Sequence, residues 1–258
     1  MSSIVLFIFE GRVTEPNITN NLSNFFLNEN GNRLLKASYG FNIYKLHEAL
    51  NNDQGLDLYE IIVEELNKRE RKTAEDQAVI DIQDFSKISD IYLFFDYDCH
   101  CSNADDDKLE EMLSTFNNSQ ENGLLHISYP MVEAIRHQKG VAYEYEVHST
   151  GNLCEYKNWV NEEIRNGSLD SKYQNWGLYN LTTWEEISNV NLLRANFLLN
   201  DEVVRPIEPA QPFDIFRAQK DKNIPNQEVT VLSSFPLMLH EFYGSELFDK
   251  FMSEGLAV

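Results

Sequence analysis

Apolar residues recur along this chain in two rhythms. Ile4–Phe9 (IVLFIF) is an unbroken apolar run, rich in β-branched and aromatic side chains and too short for a helix. Such a run predicts a strand covered on both faces, as in a parallel sheet. Ile91–Phe95 (IYLFF) repeats the signal, and Arg33–Ser38 (RLLKAS) and Leu124–Ser128 (LLHIS) predict further strands. Between them the spacing turns helical. Glu15–Pro16 opens a helix carrying Ile18, Leu22, Phe25 and Phe26, and Asn28–Asn32 is a turn. Asn42 is a candidate N-cap for a helix with Ile43, Leu46, His47 and Leu50 on one face. A further helix is expected from Leu56 to about Lys72, its end carrying the basic run Asn67–Lys72. Leu109, Met112, Leu113 and Phe116 mark another, and a short helix around Val132 and Ile135 follows Tyr129-Pro130. Strands alternating with helices predict an α/β fold with a mainly parallel sheet flanked by helices.

Beyond about Gly140 the rhythm becomes mostly helical. Tyr156, Trp159, Val160 and Ile164 predict one helix, and Thr183 with Glu186 reads as a capping box opening another. Arg205–Pro212 is a proline-rich loop, Glu228–Ser233 (EVTVLS) predicts one more strand, and Pro236 starts a last helix. Ser234-Phe235-Pro236 echoes Ser128-Tyr129-Pro130, two matches too short to establish a repeat. The expected organisation is therefore an α/β domain over 1–140 and a largely helical extension over 141–258. Trp159, Trp176 and Trp184 are expected to anchor its core or an interface.

Charge narrows the classes of function. The chain has 258 residues, of which 42 are Asp or Glu and 21 are Lys or Arg, a net charge of −21. That excludes a protein that coats DNA non-specifically, because such binding relies on a basic surface. It leaves room for a nuclease with a local basic groove, and for docking onto a basic partner. Three cysteines (Cys99, Cys101 and Cys154) make no disulfide framework, so a reducing cytoplasm is the expected compartment. The opening MSSIVLFIFEGR lacks a basic region ahead of its short apolar run and does not read as a signal peptide. No apolar stretch is long enough to predict a transmembrane helix.

Candidate chemistry gathers where strands end. In parallel α/β sheets, sites form outside the carboxyl ends of the strands. Glu10 follows the first strand, and Asp96 and Asp98 follow the Ile91–Phe95 strand, on the same side of an extended segment. If the strands are neighbours, three carboxylates meet, and a hard cation such as Mg²⁺ is the usual compensation. The residues alone equally allow Asp96 and Asp98 to cap the following loop and Glu10 to be a solvated strand end. Cys99-His100-Cys101 is a poor zinc motif, since zinc sites want four ligands from spaced pairs. His100 is instead a loop residue able to touch phosphate. Arg12, Lys36 and Arg136 are candidate phosphate contacts near predicted strand ends. Asp105-Asp106-Asp107 reads as a helix-capping run, and His47 and His126 as structural.

A strand ending in Glu-Gly and a later strand ending in Asp-x-Asp resemble the Toprim fold of topoisomerases, primases and the OLD and RloB-like nucleases. FEGRVTEPNI (Phe9–Ile18) is most similar to the RloB-like group, whose first motif reads roughly Glu-Gly-x-x-Thr-Glu-Pro, here Glu10, Gly11, Thr14, Glu15 and Pro16. FFDYDCH (Phe94–His100) resembles that group's Asp-x-Asp strand, and SYPMVE (Ser128–Glu133) its Ser-x-Pro-x-x-Glu motif. The motifs stand in the family's order and cover about the first 140 residues; the rest of the chain matches nothing in it. The resemblance implies an Mg²⁺-dependent endonuclease, with Mn²⁺ as a substitute. Glu10 would be general acid/base or ligand, Asp96 and Asp98 ligands, and Glu133 a ligand to a second ion. It also implies phage defence by abortive infection, a nucleic-acid substrate (tRNA included), a partner ATPase and scope for a homo-oligomer. An acidic binding module, or a mimic of nucleic acid on a Toprim scaffold, is the alternative.

Overall fold

A computed structural model describes residues 3–27, 31–52, 57–82, 84–140 and 143–253. The chain forms two compact units, residues 1–95 with 102–125, and residues 96–101 with 126–258.

Strands β1 (Ile4–Phe9), β2 (Arg33–Ser38), β3 (Ile88–Asp96), β4 (Asn117–Asn118) and β5 (Gly123–Ser128) build one sheet in the order β2-β1-β3-β5-β4. β1 lies parallel to both β2 and β3, and only the short edge strand β4 is shown running antiparallel, against β5. The fold class is thus α/β with a mostly parallel sheet, as the apolar runs predict. Every residue of β1 is buried, the expected state of a strand covered on both faces. Its rings interlock with those of β3: Phe7 meets Tyr92 edge-on at 5.7 Å, and Phe9 tilts against Phe94 at 5.5 Å. The first unit's helices are α1 (Thr14–Leu22), α2 (Ile43–Asn52), α3 (Leu58–Asn67), α4 (Ala74–Ile80) and α5 (Asp106–Thr115). α4 packs on β2, α3 on α4, and α2 on both α3 and α5.

Local chemistry sets several boundaries differently from the sequence expectation. The helix expected over Leu56–Lys72 ends at Asn67, and the basic run lies in the loop beyond it. Leu56 itself, like Asn28–Asn30 of the expected turn, lies outside the described residues. Asp57 caps α3, and Thr73 caps α4 through a second capping box with Asp76, so a further helix, not expected from the sequence, follows the basic loop. α1 begins one residue before Glu15. Asn42 does cap α2, its side chain accepting the Lys45 N–H at 3.0 Å. Asp105 caps α5 by accepting from the Asp107 and Lys108 N–H groups.

The second unit is mainly helical: α6 (Tyr156–Asn166), α7 (Leu181–Asn200), α8 (Pro212–Lys222), α9 (Ser234–Tyr243) and α10 (Glu246–Ser253), with the antiparallel pair β6 (Val147–Ser149) and β7 (Glu228–Thr230). α7 is its hub, touching α8, α9 and α10 and burying side chains on all sides. Asn180, not Thr183, caps α7: its side chain accepts the Thr183 N–H at 2.9 Å, which moves the start upstream of the expected box. β7 stops at Thr230, short of Ser233. Pro236 lies inside α9, which starts at Ser234 and is followed by α10. The helix expected around Val132 is a 3₁₀ turn, Val132–Arg136.

Buried polar groups fasten this unit. The Gln219 amide donates to the Thr230 carbonyl and accepts its N–H, both at 2.9 Å, taking the place of a neighbouring strand for β7. Arg194, 1% exposed, donates to the Glu144 carbonyl at 2.9 Å, the His137 carbonyl at 3.3 Å and the Val231 carbonyl at 3.5 Å. The two Ser-aromatic-Pro passages meet: Ser128 Oγ and Ser234 Oγ share a hydrogen bond of 2.8 Å, and Tyr129 exchanges backbone hydrogen bonds with Leu232. Trp184 is fully buried, Trp159 packs on the Tyr156, Val160, Ile164 and Leu169 cluster, and Trp176 carries the Arg136 guanidinium at 5.1 Å. Among the described residues no helix is long and apolar enough to cross a membrane.

Candidate functional site

In the first unit, Glu10 is the residue that leaves β1. Its N–H donates to the Phe94 carbonyl at 3.0 Å and its carbonyl accepts the Gly40 N–H at 2.9 Å. The Glu10 backbone is thus gripped by β3 on one side and by the link between β2 and α2 on the other. The next residue explains a part of the motif that sequence reasoning left without a role. The Gly11 N–H donates to Glu15 Oε1 at 2.9 Å, and Glu15 is 5% exposed. A Cβ on Gly11 would lie 2.4 Å from Glu15 Oε2, so glycine is what lets the carboxylate close over the turn. Glu-Gly followed by Glu-Pro at this spacing is one device: the second glutamate, in the first turn of α1, holds the loop that presents the first.

β1 and β3 stand in register, Phe9 opposite Phe94, and β3 runs two residues further, to Asp96. In the second unit, buried Tyr97 separates Asp96 from Asp98, the alternation expected of extended chain. The Tyr97 N–H donates to the Ser128 carbonyl at 3.0 Å. Cys101 Sγ donates to Asp98 Oδ2 at 3.3 Å, which gives the Cys-His-Cys loop a role in orienting a carboxylate. His100 is exposed in that loop. Among the described residues, no group of three or more His, Cys, Asp or Glu side chains stands ready to hold a metal ion.

The remaining candidates are dispersed. Glu133 sits in the 3₁₀ turn, 2% exposed, its Oε1 3.2 Å from Lys157 Nζ. Arg136 is buried and donates to Asn161 Oδ1 at 3.0 Å. Lys36 is mid-strand, opposite Phe7, and is held by Glu75 at 2.8 Å and by Asn20. Arg12 is exposed beside Gly40, whose positive φ of +88° leaves the backbone bare where a Cβ would lie 2.8 Å from Arg12 Nε. His47 pairs with Glu111 at 2.9 Å, and His126 is fully buried, burial holding its pKa near 3.

A second polar cluster, absent from the sequence expectation, lies in the second unit. His137 Nδ1 and the Tyr156 hydroxyl are 2.8 Å apart, and His137 Nε2 stands 3.7 Å from Glu146 Oε2. Glu146 also accepts from Lys139 Nζ at 2.6 Å. His137 and then Lys139 hold the Glu146 carboxyl down at about 2. Burial lowers the pKa of His137, and burial together with the His137 charge takes His148 to about 4. These residues are spread from 137 to 156 with no spacing motif, so the sequence carries no signal for them.

The fold and the strand-end carboxylates define the class, an α/β protein with a mostly parallel sheet and acidic residues at the ends of β1 and β3. Compared with known proteins, the chain matches no family model, no curated protein and no solved structure.

Proposed function

We propose that the chain is a metal-dependent endonuclease on a Toprim-like sheet, hydrolysing phosphodiester bonds of DNA or RNA, tRNA included, in phage defence under the control of a partner ATPase. The observation that carries this reading is the register of β1 and β3. Parallel neighbours end at one edge, that edge is where open α/β sheets take ligands, and each strand ends in a carboxylate, Glu10 after Phe9 and Asp96 after Phe95. The likeness of the Glu-Gly, Asp-x-Asp and Ser-x-Pro-x-x-Glu motifs to RloB-like proteins adds the reaction and its setting.

Carboxylate oxygens are the donors a hard cation prefers, so Asp96 and Asp98 would hold Mg²⁺ or Mn²⁺, with Glu10 assisting proton transfer. Glu133 would join them only by exchanging Lys157 for the ion. When bound, the ion would offset charge on the phosphoryl oxygens and make water more acidic. Glu10 accepts a proton from the attacking water as its oxygen bonds to phosphorus. The bond from phosphorus to the leaving sugar oxygen breaks, and that oxygen takes up a proton. Cys101, donating to Asp98, positions that carboxylate.

The test is incubation of the full chain, with and without its partner, with plasmid DNA and with tRNA, in Mg²⁺ and in EDTA. Cleavage that EDTA and Glu10→Gln both abolish is the expected result. Cleavage indifferent to EDTA, or no cleavage of any substrate, favours the acidic binding module.

A further inference from the structure

The chain carries twice as many acidic as basic residues, yet one recess of the first unit gathers cations. It has a volume of about 630 Å³ and draws Arg12 from the loop after β1, Phe41 from the link between β2 and α2, and Lys68, Arg69 and Arg71 from the loop between α3 and α4, four cations against the two carboxylates, Glu65 and Glu70, that also line it. Two of these cations are spoken for. Lys68 pairs with Glu65 at 2.5 Å, and Arg69 pairs with Asp76 at 2.5 Å while donating to the Ser38 carbonyl. Arg69 thereby ties the basic loop to the end of β2. Arg12 and Arg71 are different: both are exposed, and among the described residues neither guanidinium is engaged by an ion pair or hydrogen bond. Glu65 is taken by Lys68, and among the described residues neither it nor Glu70 pairs with Arg12 or Arg71, so these two guanidinium groups are available to an outside anion.

An aromatic ring accompanies them. Phe41 is 46% exposed, and its ring stands edge-on to Tyr39 at 5.6 Å. Tyr39 is buried, its hydroxyl pKa pushed up to about 12 chiefly by that burial, so it is an uncharged, fixed support. Phe41 follows Gly40, whose N–H is bound to the Glu10 carbonyl, and Arg12 lies two residues after Glu10. The recess is therefore wired through the backbone to the residue assigned the proton transfer. Planar guanidinium forks match phosphate oxygens in pairs, and an exposed ring offers a face to an unstacked base but not to a paired one.

We propose that this recess is a binding site for single-stranded nucleic acid, with Arg12 and Arg71 on successive phosphates and a base stacked on Phe41. The proposal deepens the nuclease reading and rests on it for the choice of occupant. It assigns the basic loop after α3 to substrate and makes an unpaired segment the preferred target.

Binding measured in EDTA separates this site from the chemistry. Fluorescent oligouridine, oligothymidine and a blunt duplex of equal length are titrated with the full chain and with Arg12→Ala, Arg71→Ala, Phe41→Ala and Phe41→Trp. Each alanine variant is expected to weaken single-strand binding about tenfold, and Phe41→Trp to restore it. Each lost arginine contact should flatten the dependence of log affinity on log salt by about 0.7. Preference for oligouridine or oligothymidine identifies RNA or DNA as the source of the strand. Unchanged affinity in the alanine variants, or duplex bound as tightly as single strand, overturns the proposal. So does inorganic phosphate competing as well as the oligonucleotide. A chain that binds in this pattern but never cleaves leaves the site standing and removes the nuclease reading. Cleavage unaffected by all three alanine variants does the reverse.

Discussion

The interior of the first unit is apolar and aromatic, with β1 wholly buried and Phe7, Phe9, Tyr92 and Phe94 in ring contact. The interior of the second contains a buried arginine on three backbone carbonyls, a glutamine side chain completing a strand edge, and a histidine bonded to a tyrosine. Both exclude water, but they specify structure differently. Apolar packing tolerates exchange of side chains of similar volume. A buried hydrogen-bond network does not, because losing one member leaves its partners desolvated and unsatisfied. The first unit's fold is set by runs of residues, the second's by particular pairs.

That contrast can be broken or sharpened by substitution. The largest effect is expected for Arg194→Met, which strands the carbonyls of His137, Glu144 and Val231 and should cost about 4 kcal/mol. Gln219→Leu, nearly isosteric, should cost about 2 kcal/mol through the Thr230 N–H and C=O it leaves bare. The matching apolar exchange in the first unit, Phe7→Leu, should cost about 1 kcal/mol. Urea unfolding of the three variants ranks them, and a Phe7→Leu penalty as large as that of Gln219→Leu would erase the contrast.

Acid should separate the units further. His148 has a folded pKa of about 4 against 6.5 ordinarily, and His137 is lowered too. The unfolded chain then binds more protons between these values. Stability is full above about pH 6.5 and is lost as pH falls toward 4. Glu146, held at about 2 from 4.5, extends the loss below that. All three tryptophans (Trp159, Trp176 and Trp184) lie in the second unit, so their fluorescence reports on it alone, and Trp159 is 4.7 Å from the His148 ring. The expected result is a tryptophan transition between pH 6.5 and 4 that His148→Gln shifts downward. A transition unmoved by that variant refutes the assignment.

The smallest effect on stability belongs to Gly11→Ala, less than about 1 kcal/mol, because only a side-chain carboxylate must yield. Its effect on cleavage should be larger, about tenfold, because the displaced Glu15 no longer fixes the Glu10 turn. Equal cleavage by Gly11→Ala and the unaltered chain shows that the turn does not govern the site.

The same division explains what was legible in the sequence. β1 begins and ends where its apolar run does, since a buried strand writes its burial into consecutive residues, and the partly buried β2 also spans its expected range. The carboxylates at the ends of β1 and β3 could be read for the same reason. α3 stops where the apolar spacing does, since Asn67–Lys72 holds no apolar residue, and α4, which was not expected, is marked by its Thr73 cap. α7 was started too late because Thr183 imitates a cap while Asn180 supplies it. The burial of Glu133 and the pairing of Ser128 with Ser234 depend on residues distant in the chain, as do Arg194 and its carbonyls. Glu15 was visible as a motif letter, but its bond to the Gly11 N–H appears only in three dimensions.

The most direct measurement of the central claim is Mg²⁺-dependent cleavage by Asp96→Asn beside its melting temperature. Asparagine keeps the shape and hydrogen-bonding capacity of aspartate and removes the charge a hard cation requires. The account predicts no detectable cleavage and no toxicity on expression with the partner, with melting unchanged or slightly raised because one of several like charges at the strand ends is gone. Full cleavage by Asp96→Asn would contradict it.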